Sequence, residues 1–436
     1  MSNHDTLTPL EASYIAHNCY FTLKDWMSGQ PQAGMETRAN VRKMVTGDGM
    51  GATAIAGKTN TSLRSTDLKG AKLERVFAGS TAGLETGFGY LLGFNRGGVR
   101  QAVIATRGTR AEHSKADILT DLRGSMTSFG DYGPVHQGFR NTFDSVLPGL
   151  MRDERRIMDA DVVHCVGHSL GGAVATLIAA HFSARGKAVK LYTFGSPRVG
   201  AFGTAGAMET SIGKDNIFRV SHDLDPVTMV GPFPFRHVNG APEDSNNMML
   251  RSPTGKLLSV ANHDMFEYVS SVGQRRLDWQ GVRLMSAVVD HDNAVLARWL
   301  LRSSDNPGWV TQKAAQGLSF ILKAFSALLK AAGLVAITAF TAIDLFCAVL
   351  ASNLSKMAEL NAELMEGIRH ASIWAGIVVK SSAQFTVSVI RGILEAMMRT
   401  LRPIAIQAVQ TVGASGVPLP LMIDGAAMLT GSLIGS

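Results

Sequence analysis

The sequence predicts an α/β fold: a sheet of parallel strands flanked by helices, followed by a mainly helical, apolar C-terminal region. Three observations carry that prediction. Between about 84 and 270, short apolar runs alternate with helical segments, the pattern of strands covered by crossover helices. At Gly167-His168-Ser169-Leu170-Gly171-Gly172 a glycine-framed serine stands directly between a strand-like and a helix-like run. Near Ser304-Asp305-Asn306-Pro307-Gly308 the composition changes, and beyond it the chain is apolar and helix-forming almost to its end.

Taken in order, residues 8–27 space Leu10, Ile15, Tyr20, Leu23 and Trp26 as an amphipathic helix does. The Gly/Thr/Ser-rich stretch 46–66 reads as loop, so 1–83 form a lead-in of helix and loop. Strands are predicted at 89–94, 102–105, 162–166, 190–194 and 217–220, with helices over 138–157, 170–185 and 203–212, which makes 84–305 one α/β domain. Residues 306–436 form the helical region. Within it, 331–350 carry a single charge, Asp344, and are long enough to cross a bilayer, while charges at intervals through 356–402 suit amphipathic helices.

Hydrophobic residues make up 46% of the 436 and charged residues only 18%, below the ~25% typical of soluble domains. Part of the chain is therefore expected to meet lipid or a large apolar partner. A net charge of +7 without a Lys/Arg block argues against a nucleic-acid footprint and allows mild attraction to anionic membrane. Cys19, Cys165 and Cys347 form no C-x-x-C and read as buried apolar residues; no metal and no cofactor is expected. Met1-Ser2-Asn3-His4-Asp5 shows no basic segment leading into an apolar one. Synthesis in the cytoplasm and export by a signal-independent route are the expectation.

The chemistry concentrates at Ser169. Strand, sharp turn and helix are the setting in which G-x-S-x-G presents a nucleophile, with Gly167 and Gly171 leaving room for the turn. The helix that follows aims its positive end at the same place, favouring an oxyanion. His168 reads as a packing residue. The amide of Leu170 is one oxyanion donor, and the second is expected from an earlier strand end, Val103-Ile104-Ala105-Thr106-Arg107-Gly108-Thr109, at Thr109. Downstream acids are Asp215, Asp223 and Asp225; the first precedes the 217–220 run and falls at the wrong sheet edge, and the other two follow it. Downstream bases are His237, His263 and His291. His263 sits just before a helix face of Phe266, Tyr268, Val269 and Val272, which suits an imidazole carried by a loop.

The motifs R-G-T at 107–109, Val135-His136-Gln137-Gly138-Phe139, G-H-S-L-G-G-A, Tyr192-Thr193-Phe194-Gly195-Ser196-Pro197-Arg198-Val199-Gly200 and Asp225-Pro226-Val227 stand in the order of the class 3 lipases, the family of the fungal triacylglycerol lipases, which this chain resembles over about 84–270. The resemblance implies an α/β-hydrolase core and ester hydrolysis on lipids. It selects Asp225 as the acid and, of the family's two histidines, the later one, His263, as the base. Four departures leave the triad groups in place: Thr106 stands where Phe is usual, Ile118 where Trp is, Ala201 where a polar residue is, and Thr228 where Pro is. Residues 111–126, where fungal lipases keep a lid, are polar here, so weak interfacial activation is expected.

The reading from sequence is a serine lipase or phospholipase with a Ser169-Asp225-His263 triad and no cofactor. Its substrate is a lipid ester or phospholipid, and it meets membrane through 307–436. Removing that region is expected to spare hydrolysis of dissolved esters. Two alternatives stand beside it: a soluble esterase, thioesterase or acyltransferase, and a membrane-inserting protein with a hydrolase-like recognition module. Resemblance to bacterial antibacterial lipases implies a secreted effector with an immunity protein or a secretion chaperone as partner.

Overall fold

The computed structural model describes residues 4–21, 66–68, 71–81, 84–108, 125–231, 235–240, 246–254, 259–273, 278–285, 362–379, 386–411 and 421–422, with scattered positions between 301 and 324. Its main sheet has seven strands: β1 (Lys72–Thr81), β2 (Leu84–Arg96), β3 (Val99–Thr106), β4 (Val162–His168), β5 (Val189–Phe194), β6 (Ile217–His222) and β7 (Asn247–Leu250). They lie side by side in the order β7-β6-β5-β4-β3-β2-β1. From β3 to β7 every neighbouring pair is parallel. The crossovers are helical: α2 (Gln137–Met151) between β3 and β4, α3 (Leu170–Ala184) between β4 and β5, and α4 (Phe202–Ile212) between β5 and β6. This is the α/β arrangement that the alternating runs predict.

The other edge corrects the prediction of a parallel sheet, because β1, β2 and β3 pair antiparallel. The cause is local. Arg96 pairs with Val99 across Gly97 and Gly98, whose φ values are 61° and 86°. A two-residue turn with both centres left-handed returns the chain directly beside itself and leaves no room for a crossover helix. A second difference is the predicted helix 138–157, which is α2 followed by a separate short helix, Glu154–Asp159.

Side chains alternate between two apolar layers, as the strand period requires. Leu91, Ala102, Ile104, Val163, Cys165, Leu191 and Ile217 face a cluster filled by α2, α3 and α4. Tyr90, Leu92, Val103, Ala105, Val166, Tyr192, Phe194, Phe218 and Val220 face the opposite one. That second face is covered by α1 (Pro9–Asn18) and α5 (Met265–Gly273). Thr8 and Glu11 close a reciprocal capping box at the start of α1, which satisfies donors that the first turn leaves open. The helix ends at Asn18 and tightens into a 3-10 turn, Cys19–Phe21, short of the predicted residue 27; Leu23 and Trp26 lie outside the described residues. Cys19 and Cys165 are buried, Cys19 Sγ donating to the Phe88 carbonyl, and Cys347 lies outside the described residues.

The C-terminal region is helical where described, at α6 (Ala362–Trp374) and α7 (Val387–Thr411). α7 is amphipathic: Arg391, Glu395 and Arg399 are exposed, while Ile390, Ile393, Leu394, Met397 and Leu401 are buried in the apolar cluster that also holds α2, α3 and α4. It packs on the turn 260–263, whose Val260 adjoins the same cluster. Burial of each large aliphatic side chain contributes ~1.5–3 kcal/mol, so this helix is an integral part of the core. That bears against the expectation that residues 307–436 are dispensable for hydrolysis of dissolved esters. Among the described residues no helix is long and apolar enough to cross a membrane; the run 331–350 lies outside them.

Candidate active site

Strand β4 ends at His168 and α3 begins at Leu170, so Ser169 alone makes the turn, at φ 59° and ψ −135°. A non-glycine residue holds such a conformation only where its surroundings over-determine it. Two anchors are visible: the Ser169 amide donates to the Phe194 carbonyl at 3.0 Å, and the Ser169 carbonyl accepts from Gly172 at 2.9 Å. The flanking glycines are required by close approach. A Cβ on Gly171 would lie 2.4 Å from the Thr106 carbonyl oxygen, and one on Gly167 would lie 2.4 Å from that of Gly171. Thr106 fits this crossing, its hydroxyl donating to the Gly171 carbonyl at 2.7 Å.

His263 closes the turn 260–263, one residue before α5. Its Nε2 accepts from Ser169 Oγ at 2.8 Å, and its Nδ1–H donates to Asp225 Oδ2 at 2.8 Å. Ser169 is 1% exposed, and Asp225 and His263 are fully buried. Asp225 accepts two further bonds, from Tyr268 Oη to Oδ2 at 2.6 Å and from the Val227 amide to Oδ1 at 2.8 Å. A carboxylate removed from water needs such donors to stay ionised. Thr228, where the family resemblance leads one to expect Pro, caps this turn with a hydroxyl bond to the Asp225 carbonyl at 2.9 Å.

Of the predicted residues, Ser169, Asp225 and His263 come together in one hydrogen-bonded line. Leu170 is the first residue of α3, where helical amides have no intrahelical acceptor and point at incoming negative charge. Thr109, the expected second donor, lies outside the described residues, next to Gly108, where a Cβ would stand 2.9 Å from that of Ser169. The competing candidates lie elsewhere or are otherwise engaged. Asp215 sits in the turn before β6, Asp223 Oδ1 accepts from the amide and hydroxyl of Ser252, and His237 donates through Nε2 to the Thr228 carbonyl. His291 and the polar residues 111–124 lie outside the described residues.

Four residues at the site escaped the sequence reading. Tyr268 takes the His222 amide on its hydroxyl at 2.9 Å while donating to Asp225, and the His222 ring stacks on it with centroids 3.9 Å apart. Burial and the adjoining Asp225 carboxylate push the Tyr268 phenol well above its ordinary value, so it remains a donor. His222 donates through Nδ1 to the Asn262 carbonyl at 2.7 Å, and burial holds it below the ordinary histidine value. His168 is more than a packing residue: its Nε2–H donates to the His263 carbonyl at 3.0 Å and its ring stacks on that of His263. Tyr20 is the fourth; its hydroxyl meets His168 Nδ1 at 2.6 Å. The positive end of α3, a bound hydroxyl and a neutral imidazole oriented by a carboxylate are together equipped for acyl transfer.

Residues 103–235 match the family model described as Lipase (class 3). The chain is 30% identical over 187 residues to secreted mono- and diacylglycerol lipase 1 of Fusarium solani, which covers 38% of this chain and 50% of that protein. It is 38% identical over 106 residues to toxin TseL of Vibrio cholerae serotype O1, covering 23% and 16%. The chain thus spans about half the length, or less, of these relatives. Among solved structures it is similar to Lip2 lipase of Yarrowia lipolytica, at 27% identity, 38% and 63% coverage and a TM-score of 0.30. The segment 103–235 is thus similar to the class 3 lipases, which supports that family for this chain.

Proposed function

We propose that this class 3 lipase-like chain hydrolyses carboxylic esters of lipids through a serine acyl-enzyme. The observation that carries the reading is the hydrogen-bonded line Asp225–His263–Ser169 at a strand–helix turn. His263 Nε2 takes the hydroxyl proton as Ser169 Oγ attacks the ester carbonyl. The negative charge that moves onto the carbonyl oxygen is met by the Leu170 amide and, on this reading, by that of Thr109. Asp225 fixes the imidazole tautomer and stabilises the imidazolium, which then protonates the departing alcohol. Water, deprotonated by His263, attacks the acyl-serine and releases the fatty acid, restoring Ser169.

The finer assignments rest on the relatives. Those named mono- and diacylglycerol lipases support an acylglycerol substrate. The relative named a toxin supports an effector role; on this reading the chain is exported to act on membrane lipid of another cell and has an immunity protein as partner. Association with anionic membrane through 307–436 rests on the apolar composition of that region. Lipid analysis of vesicles treated with the wild-type protein or Ser169→Ala tests the proposal. Free fatty acid that rises only with wild type supports ester cleavage, and which lipid is consumed decides between acylglycerol and phospholipid. Equal fatty-acid release by Ser169→Ala overturns the reading.

A further inference from the structure

The N-terminal segment is sewn across the molecule before it reaches the site. Gln101 Nε2 donates to the His4 carbonyl at 2.6 Å, the Leu7 amide donates to Tyr192 Oη at 3.1 Å, and Trp279 Nε1 donates to the Leu7 carbonyl at 2.8 Å. Glu11 takes both terminal nitrogens of Arg96, at 2.6 and 3.3 Å, and Tyr90 Oη donates to the Ile15 carbonyl at 2.7 Å. These bonds hold α1 fast to the sheet, and the 3-10 turn after it delivers Tyr20, only 3% exposed, to the underside of the Ser169 turn.

The proton positions around Tyr20 follow from its partners. His168 Nε2 faces a carbonyl, that of His263, and must carry the hydrogen. His168 Nδ1 is then bare and accepts from Tyr20 Oη. On its other side the Tyr20 hydroxyl stands against Gly108, just past the end of β3. Space is tight here: a Cβ on Gly108 would stand 2.9 Å from both Tyr20 Oη and Ser169 Cβ. An imidazolium at 168 could not accept the phenol's hydrogen, and burial holds His168 well below its ordinary value, so the neutral form persists.

The geometry points to Tyr20 and His168 as positioning residues of the reaction: a hydrogen-bonded relay of Tyr20 and His168, wedged against Gly108 and ending on the His263 carbonyl, which holds the turn carrying the base in register with Ser169. Neither side chain reaches a reacting atom. The inference rests on the reading of Ser169, Asp225 and His263 as the triad. It gives the N-terminal helix, outside the segment that matches the family model, a part in turnover.

The test uses the full chain, a dissolved short-chain ester and a fluorophosphonate probe. Tyr20→Phe keeps the ring and removes the hydroxyl; it should lower kcat about tenfold with KM changed less than twofold, and slow labelling of Ser169 by a similar factor. Tyr90→Phe removes a buried phenol bond to α1, away from Ser169, and serves as the stability control. It should lower the melting temperature as much as Tyr20→Phe while leaving kcat within twofold. His168→Phe keeps a ring beside His263 but removes both the acceptor for Tyr20 and the donor to the His263 carbonyl, so adding Tyr20→Phe to it should cost less than a further threefold. Tyr20→Phe with wild-type kcat, Tyr90→Phe with an equal loss of kcat, or full multiplication of the two effects in the double variant would each overturn the relay. Ser169→Ala run alongside separates the levels: activity surviving in it removes the triad reading itself, whereas its loss beside an unaffected Tyr20→Phe removes only the relay.

Discussion

Replacing Gly195 by alanine tests whether the geometry around Asp225 and His263 limits turnover. Gly195 has φ +55°, and a methyl built on it would stand 2.8 Å from Asp225 Oδ2, 3.1 Å from His263 Nδ1 and 3.1 Å from Tyr268 Cε2. The left-handed backbone costs an alanine ~1–3 kcal/mol. The contacts fall short of the ~3.5 Å of comfortable packing by roughly half an ångström on three sides, and all three groups are fully buried in a close-packed interior. The carboxylate and imidazole must therefore part or tilt, and misplacement by about 1 Å costs on the order of 10²-fold in rate. We predict a kcat for a dissolved ester between about 10- and 100-fold below wild type, with KM nearly unchanged. Gly206→Ala is the control: a Cβ there meets nothing within 4 Å, and in the middle of α4 it should stabilise by about 0.5–1 kcal/mol without touching kcat. Gly195→Ala in a native fold with kcat within threefold of wild type would refute the reasoning.

Other outcomes follow from the same contacts. Tyr268→Phe removes one of three donors to Asp225 and should lower kcat several-fold to tenfold in steady-state assays, with KM unmoved. Burial holds His164 down to about 3, against an ordinary value of 6.5 in the unfolded chain. Between those values the unfolded state binds the extra proton, so stability falls as pH drops from about 6.5 toward 3, by ~1.4 kcal/mol per pH unit for this one group. Denaturant melts at several pH values in that window should show a correspondingly shallower dependence in His164→Gln. Deleting residues 307–436 strips Ile390, Ile393, Leu394, Met397 and Leu401 from the cluster beside the 260–263 turn. The truncated chain should melt lower and lose activity on dissolved esters as well as on vesicles; undiminished activity in a folded truncate would show that α7 does not support the turn.

Much of this was legible in the sequence because strand burial is local information. The runs 102–105, 162–166, 190–194 and 217–220 all fall within strands, and Ser169 declares its setting through the glycines that a strand–helix turn requires. Direction is not local: an apolar run does not say whether its neighbour is parallel, and the antiparallel pairing of β2 with β3 is signalled in the sequence by Gly97-Gly98 between apolar runs, a hairpin turn. His263 could be preferred over His237 from its place before a helix, whereas the choice of Asp225 over Asp223 needed family likeness. What separates those two carboxylates is that one faces an imidazole and the other faces Ser252. Tyr20 and Tyr268 resisted for a further reason. Both sit at helical spacings that read as core, both are core by burial, and only the position of a hydroxyl oxygen distinguishes a working phenol from a packed one.

The central claim is that Ser169 is the nucleophile and that His263, held by Asp225, activates it. The most direct measurement is stoichiometric labelling by a fluorophosphonate with the modified peptide mapped by mass spectrometry, run beside ester turnover for wild type, Ser169→Ala, Asp225→Asn and His263→Gln. The account predicts one adduct per chain, on Ser169, absent from Ser169→Ala, with kcat reduced on the order of 10³-fold or more in the other two variants while their folds persist. An adduct on any other residue, or His263→Gln turning over like wild type while His237→Gln does not, would contradict it.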